Sequence, residues 1–345
     1  MPTIKRLPSG SYHCVVKSGG KRISITEQTE AECMSKVMKI ISERLIGTQD
    51  NGKALEMLTL RDAMDLYMDQ RSNVLSPSTI YGYKQVQKHR FKSVMDCKVS
   101  EIRNWQQIVN VEAKDVSAKT MKNCWGFTRA ALANVGANVD NVKLPQVVKK
   151  EVAFYEPDEI ETFLKAIHGE RYELSYLLCL HSLRASELLA IDVQKDIKDG
   201  YIRVSGAVVI SGSGHLVHKE TNKTQMSNRR IPVIIERVTE IIETMGCEEA
   251  QKQIPKTDSC LTKNLKRICN GKNLKYVTPH GLRHSFASLC YHLGISEAET
   301  MRLGGWSDPG VMRKVYTHLA AKDKTDAEIK LKEFFSKKKK DNDVA

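Results

Sequence analysis

Residues 278–288 read TPHGLRHSFAS, and the folding of this segment decides how the chain around it is read. Thr278 followed by Pro279 marks a helix start: a threonine hydroxyl caps free backbone N–H groups, and proline at the first helical position gives up no hydrogen bond. His280, Arg283 and His284 then stand at i, i+3 and i+4, on one helix face. Such a face suits a metal pair, an anion-binding pair or a solvated helix end. The metal pair is the weakest of the three. A metalloprotease-type pair needs Glu after the first His, where this chain has Gly281, and no cluster of Cys, Asp or Glu stands nearby as a third ligand. An anionic oxygen suits Arg283 better, because guanidinium presents a planar fork of donors.

Working outward, 345 residues with 41% hydrophobic content and a mean hydropathy of −0.39 predict a soluble globular chain of roughly two or three domains. No run approaches the roughly 18 apolar residues of a membrane span. The opening MPTIKRLPSGSYH lacks the apolar centre of a signal peptide. The nine cysteines are odd in number and form no C-x-x-C pair, which points to reduced thiols in a cytosol. A net charge of +13 suggests a polyanionic partner, most often nucleic acid, without deciding it.

Along the chain, GSYHCVVKSGGKRISIT (residues 10–26) reads as a β-hairpin, and EAECMSKVMKIISERL as a helix with Cys33, Val37, Ile40, Ile41 and Leu45 near one face. GTQDNGK (residues 47–53) reads as a linker. From Thr59 to about residue 138 three helical stretches follow: LTLRDAMDLYMDQRS, SPSTIYGYKQVQKHRF with Ser76 as N-cap and Pro77 at N1, and SAKTMKNCWGFTRAALANVGAN from Ser117 to Gly136. NVDNVKLPQVVKKEV (residues 138–152) shifts in composition and reads as an extended linker. Beyond it, helices are expected at 157–168, 172–190, 233–246, 259–270, 280–293, 296–303 and 308–317, around one β-prone block of YIRVSG, HLVHKET and RRIPV. The basic tail SKKKKDNDVA is expected to be disordered.

Four segments of this last region carry residues suited to a phosphodiester. In LHSLRASELLAI (residues 180–191), Arg184 sits in an apolar run and needs a partner when buried; Glu187 is the obvious one, so a purely structural ion pair competes. HKETNKTQMSNRRIPV (residues 218–233) is turn-rich and places Lys223 near the tip of an expected hairpin, with Lys219 the fallback. The third segment is the opening one. The fourth, LGGWSDPGVMRKVYTHL (residues 303–319), offers the indole N–H of Trp306 and, ten positions on, Tyr316.

Taken together, Arg184, a hairpin lysine, His280-x-x-Arg283, Leu-Gly-Gly-Trp306 and then Tyr316 resemble the tyrosine recombinases, the phage-type integrases. The order and the spacing within each motif fit. Two positions depart from the family's habit: His181-Ser182 stands where Thr-Gly is common before the first arginine, and Trp306 where His is common. The resemblance implies a multidomain, mainly α fold with small β-sheets. It divides the chain into an arm-site-binding module of β-sheet plus helix (1–52), a helical core-binding domain (57–140), a linker (141–152), an α+β catalytic domain (153–335) and the tail (336–345).

The resemblance also implies the roles. Tyr316 would attack the scissile phosphate to give a 3′-phosphotyrosyl bond and a free 5′-hydroxyl. Arg184 and Arg283 would clamp the non-bridging oxygens, and Trp306 would donate one more hydrogen bond. Lys223, or Lys219, would protonate the leaving oxygen. His280 would assist the phenol, whose ordinary pKa is about 10, or orient the phosphate; Glu187 would support Arg184. No metal and no ATP are expected, since the covalent bond stores the energy of the broken one. The expected partners are duplex DNA at core and arm sites, contacted through candidates Lys84, Lys88, Arg90, Lys119, Lys122 and Arg129, and DNA-bending accessory proteins. A homotetramer on DNA is expected because EIKLKEFF near the C-terminus reads as an amphipathic helix for a neighbouring protomer, with packing in cis the alternative. The setting implied is a bacterial cytoplasm, on a phage or conjugative element. Two rivals stay open: a DNA-binding regulator with a silent site, and a related type of topoisomerase.

Overall fold

The chain folds as a string of helices interrupted by short antiparallel strands, and it divides into two compact units, residues 1–149 with 210–215 and residues 150–209 with 216–345. The computed structural model describes residues 3–18, 21–30, 32–34, 36–37, 40, 56–139, 141–148, 152–219 and 228–310. No described helix is long and apolar enough to cross a membrane.

In the first unit, β2 (Tyr12–Ser18) and β3 (Lys21–Glu27) pair antiparallel from Tyr12↔Glu27 to Ser18↔Lys21, and the two-residue β1 (Lys5–Arg6) joins the edge of β2. Period-2 alternation sends Cys14, Val16 and Ile25 inward, where they meet Cys33 and Val37. Ile40 packs against the same cluster; Ile41 and Leu45, expected on that face, lie outside the described residues.

Four helices follow: α1 (Leu60–Gln70), α2 (Pro77–His89), α3 (Trp105–Glu112) and α4 (Ala118–Asn134). The Ser76 and Ser117 starts are those legible in sequence, and Thr59 caps α1 in the same way. The Thr59, Ser76 and Ser117 hydroxyls accept from Asp62, Thr79 and Thr120 N–H groups. Helix α3 was not among the expected stretches; Asn104, in the left-handed region at φ 55°, caps it. These helices bury Leu60, Met64, Leu66, Met121, Trp125, Phe127 and Leu132 in one core. The described part of 138–152 forms no helix or strand.

The second unit is built around α6 (Glu173–Leu180), all eight of whose residues are buried. Six of its eight residues are apolar and Glu173 is paired with Arg237 at 2.8 Å, so the helix can sit inside, and α5 (Pro157–Ile167), α9 (Arg237–Gln251) and α11 (Pro279–His292) contribute to the same core. Short α7 (Ala185–Leu188) and α8 (Val193–Asp196), then α10 (Asp258–Gly271) and α12 (Glu297–Gly304), complete the helices. Strands β4 (Ile197–Lys198), β5 (Tyr201–Val204) and β8 (Arg229–Pro232) form one antiparallel sheet in the order β4-β5-β8. Strands β6 (Ala207–Ile210) and β7 (Leu216–Lys219) form a separate ribbon.

Three expectations are corrected here. The single helix expected over 172–190 is two, broken at His181–Leu183, because Ser182 takes φ 69° and Arg184 starts a new helix as its N-cap. The helix expected at 233–246 begins at Arg237 and continues to Gln251, bending at Gly246 with φ 79°. Among the described residues β7 pairs with β6 and β8 with β5. HLVHKET and RRIPV therefore do not form the hairpin expected to carry Lys223; the tip of the observed ribbon is 211–215.

Candidate active site

Arg184 owes its place to the break after α6. His181 is fully buried, and its Nε2 accepts the Ile234 N–H at 3.0 Å, which leaves Nδ1 as the protonated nitrogen donating to the Leu177 carbonyl at 2.8 Å. Burial lowers its pKa to about 4, so the ring is neutral at pH 7. Ser182 then turns through the left-handed region that favours glycine, at φ 69°. Arg184 follows as the N-cap of α7. Its N–H donates to Glu187 Oε2 at 2.9 Å, its Nη1 to Oε1 at 2.6 Å, and its Nη2 to the Gly305 carbonyl at 2.8 Å.

Arg283 reaches the same carbonyl from α11. The helix starts as its sequence indicates, with Thr278 accepting the Gly281 N–H at 3.0 Å and Pro279 in the first turn. Gly281 is required by packing: a Cβ there would lie 2.3 Å from the Ala153 carbonyl oxygen. Arg283 is 1% exposed. Its Nη2 donates to Gly305 O at 3.4 Å and its Nη1 to Ser182 O, and its guanidinium lies 4.1 Å from the Trp306 ring centroid. Cation–π contact of this kind satisfies a desolvated cation on its face. Trp306 in turn stacks on Phe286, with Gly304 beneath it; a Gly304 Cβ would fall 1.7 Å from the indole. Gly305 ends α12 at φ 65°. The Leu-Gly-Gly-Trp run is thus one small residue for the indole, one left-handed cap, and a platform for Arg283.

A third guanidinium belongs to this cluster and escaped the sequence reading. Arg229, on β8, donates through Nη2 to Glu187 Oε2 at 3.0 Å and Ser182 O at 3.1 Å, through Nη1 to Oε1 at 3.3 Å, and through Nε to Leu303 O at 3.2 Å. The signal was available: period-2 alternation from Ile231 places Arg229 on the core face of the strand and Arg230 outside. Burial alone would raise the Glu187 carboxyl, but the Arg229 charge and hydrogen bond, with those of Arg184, hold it below its ordinary value. Arg283 is lowered well below the usual guanidinium pKa by burial, then by Arg184 and Arg229. Three guanidinium groups against one carboxylate leave an excess of positive charge, the condition for holding an anion.

His280 stands at the rim, exposed, with Nε2 3.1 Å from His284 Nε2. Desolvation against the protein and the charges of Arg283 and Arg184 all lower its pKa. Burial, then His280 and Arg283, lower His284 to about 4. Two neutral imidazoles share one proton in that bond. Among the described residues no group of three or more His, Cys, Asp or Glu could hold a metal.

The structure therefore brings together Arg184, Glu187, Arg283 and Trp306, with His280 beside Arg283. Lys219 ends β7, half-buried. Lys223, Tyr316 and the expected C-terminal helix lie outside the described residues. In the first unit, Lys84 and Lys88 of α2 line a concavity with Arg61, Gln87 and Lys92, while Lys119, Lys122 and Arg129 are exposed along α4 and Arg90, half-buried, caps α2.

The phage integrase family model matches residues 153–323. The integrase of Staphylococcus phage L54a is 30% identical over 173 residues, 44% of this chain and 49% of that one. A XerC-like tyrosine recombinase of Caldanaerobacter subterraneus is 22% identical over 310 residues, 78% and 77% of the two chains. The match thus spans about half the length of the phage protein. Among solved structures, the Tn1549 transposon integrase with a circular-intermediate DNA gives a TM-score of 0.59 at 18% identity, over 75% of this chain and 94% of that one. The lambda integrase tetramer bound to a Holliday junction gives 0.53 at 17%, over 90% and 94%. These two share the fold. Family model, relatives and fold agree, and residues 153–323 of the chain belong to the phage integrase family.

Proposed function

We propose that the protein is a site-specific DNA recombinase that cleaves and rejoins duplex DNA through a 3′-phosphotyrosyl intermediate. The observation that carries this is the convergence of Arg184 and Arg283, distant in sequence, on the Gly305 carbonyl at 2.8 and 3.4 Å. Each retains N–H groups beyond those bonds, so a phosphate seated there meets two forks of donors that stabilise charge as it develops in the transition state.

Tyr316 Oη attacks phosphorus, the P–O5′ bond breaks, and the 5′-oxygen takes a proton from Lys223, with Lys219 the alternative. The phenol's proton passes to His280, whose lowered pKa keeps it unprotonated and able to accept; in the reverse step a 5′-hydroxyl attacks and tyrosine leaves. Trp306 holds Arg283 flat and offers its N–H to phosphate, though an indole moves no proton. The bond energy is kept in the phosphotyrosyl link, so the cycle needs neither ATP nor a metal. The charge of +13 supports duplex DNA as partner, with strong salt dependence, and Lys84, Lys88, Arg90, Lys119, Lys122 and Arg129 are its proposed contacts. The domain roles follow the family: residues 1–52 on arm sites, 57–140 on the core site, 153–335 as the catalytic domain. A tetramer on DNA is proposed because lambda integrase is seen as one on a Holliday junction; the setting is a bacterial cytoplasm.

The test is a nicked suicide duplex with the core site, in EDTA, scored for an SDS-stable adduct. Wild type forms it and Tyr316→Phe does not while still binding DNA. A wild type that binds the duplex and forms no adduct is a silent regulator, and the proposal fails.

A further inference from the structure

The arginine that no motif marks holds the centre of the cluster. Arg229 has a side chain 5% exposed and Arg184 one that is 36% exposed. A phosphate entering from solvent meets Arg184, whereas Arg229 is behind it with donors committed to protein oxygens. Those oxygens belong to three separate pieces of the site: the Glu187 carboxylate of α7, the Ser182 carbonyl of the α6–α7 turn, and the Leu303 carbonyl beside the Gly-Gly-Trp turn. Ser182 O also accepts from Arg283. The Gly305 Cα faces the Arg229 guanidinium so closely that a Cβ would lie 2.8 Å from Nη1. One side chain thus ties the strand to both loops that place Arg184 and Arg283.

Its effect on Arg184 is electrostatic as well as steric. A buried carboxylate with one arginine partner draws it into a two-pronged pair, which leaves that arginine few donors for a substrate. Here Glu187 divides its oxygens between two guanidinium groups, and Arg184 gives it a single side-chain N–H, at 2.6 Å. We infer that Arg229 is a positioning residue: by occupying Glu187 it keeps the Arg184 fork turned toward the scissile phosphate.

This rests on the recombinase proposal, and the assays are those of single-turnover adduct formation and DNA affinity on the full chain. Arg229→Gln is expected to bind core DNA as wild type does and to form adduct on the order of a hundredfold more slowly, the scale of a misplaced binding group. Neutralising the carboxylate in the same chain, Arg229→Gln with Glu187→Gln, frees Arg184 and is expected to recover at least about tenfold of that loss by the same reasoning. A residue that only braced the fold would give the opposite order, the double variant being slower than the single. Should Arg229→Gln not accumulate folded, Arg229→Lys, which keeps the charge but cannot bridge two carboxylate oxygens and two carbonyls, is expected to fold and show the same slow cleavage with intact binding. Wild-type rates in the folded single variant, or no recovery in the double, overturn the inference while leaving the recombinase proposal standing. No adduct from wild type overturns both.

Discussion

Lowering the pH from 8 to 5 should destabilise the second unit through two buried histidines. His181 and His284 are buried, and each is held near pKa 4 against an ordinary 6.5, burial being the first cause for both. Because the folded pKa is the lower one, the unfolded chain binds protons first. The stabilisation is complete above pH 6.5 and is lost as pH falls toward 4. For one such group the loss between pH 8 and pH 5 is about 2 kcal/mol, and for two titrating independently about 4 kcal/mol. That is a large share of the ordinary stability of a domain, about 5–15 kcal/mol. His280, lowered as well, adds in the same direction. Glu187 does not intrude, since its carboxyl is held below its ordinary value and ionised throughout this window.

The assay is urea-dependent hydrogen exchange by mass spectrometry on peptides from α6 and α11. His181→Gln supplies the check, because its amide can still donate to the Leu177 carbonyl and accept from the Ile234 N–H. It should cost stability at pH 8 yet reduce the loss between pH 8 and 5 by about half, one histidine's share. A flat profile from pH 8 to 5 in wild type would refute the argument, as would an unchanged slope in the variant.

Two further outcomes follow from geometry. Gly281→Ala pushes a methyl to 2.3 Å from Ala153 O and 2.6 Å from Val277 Cγ1, and should destabilise the second unit by about 3 kcal/mol, the upper end for overpacking. Gly126→Ala in α4, where nothing lies within 4 Å, should instead raise stability by about 0.5–1 kcal/mol, and thermal melts of both decide the sign. Of the two lysines, Lys223→Ala should slow adduct formation on an ordinary duplex and recover on one whose leaving 5′-oxygen is replaced by sulfur, which departs without a proton. The same rescue in Lys219→Ala instead would move the general acid to that residue.

Much of this site was legible because its signals are local. The Thr278–Pro279 start, the face carrying His280 and Arg283, and the three-residue spacing of Arg184 and Glu187 depend on helical geometry alone, and the bonds observed are those the spacing allows. The break at Ser182 was illegible for a matching reason. LHSLRASELLAI holds no Pro or Gly, and what ends α6 is His181 reaching Leu177 O and Ile234 N, a partner 53 positions away. Arg229 was passed over because two adjacent arginines in a strand look alike until the sheet decides which one faces inward. The β7–β8 hairpin was expected from adjacency in sequence, but strand pairing follows which faces can be buried, and β8 found β5 instead.

By itself, then, the sequence determined the helix starts through side chains that cap their own backbone, the basic balance, and the chemical types of Arg184, Glu187, His280, Arg283 and Trp306. Tertiary structure decided how those types become a site. It set two arginines on the Gly305 carbonyl, laid the indole under Arg283, and inserted Arg229 between Glu187 and both loops. Capping and helical spacing act over three or four residues and survive in any context. The partners of a buried charge are fixed only when distant segments exclude water around it, and that is a property of the packed fold.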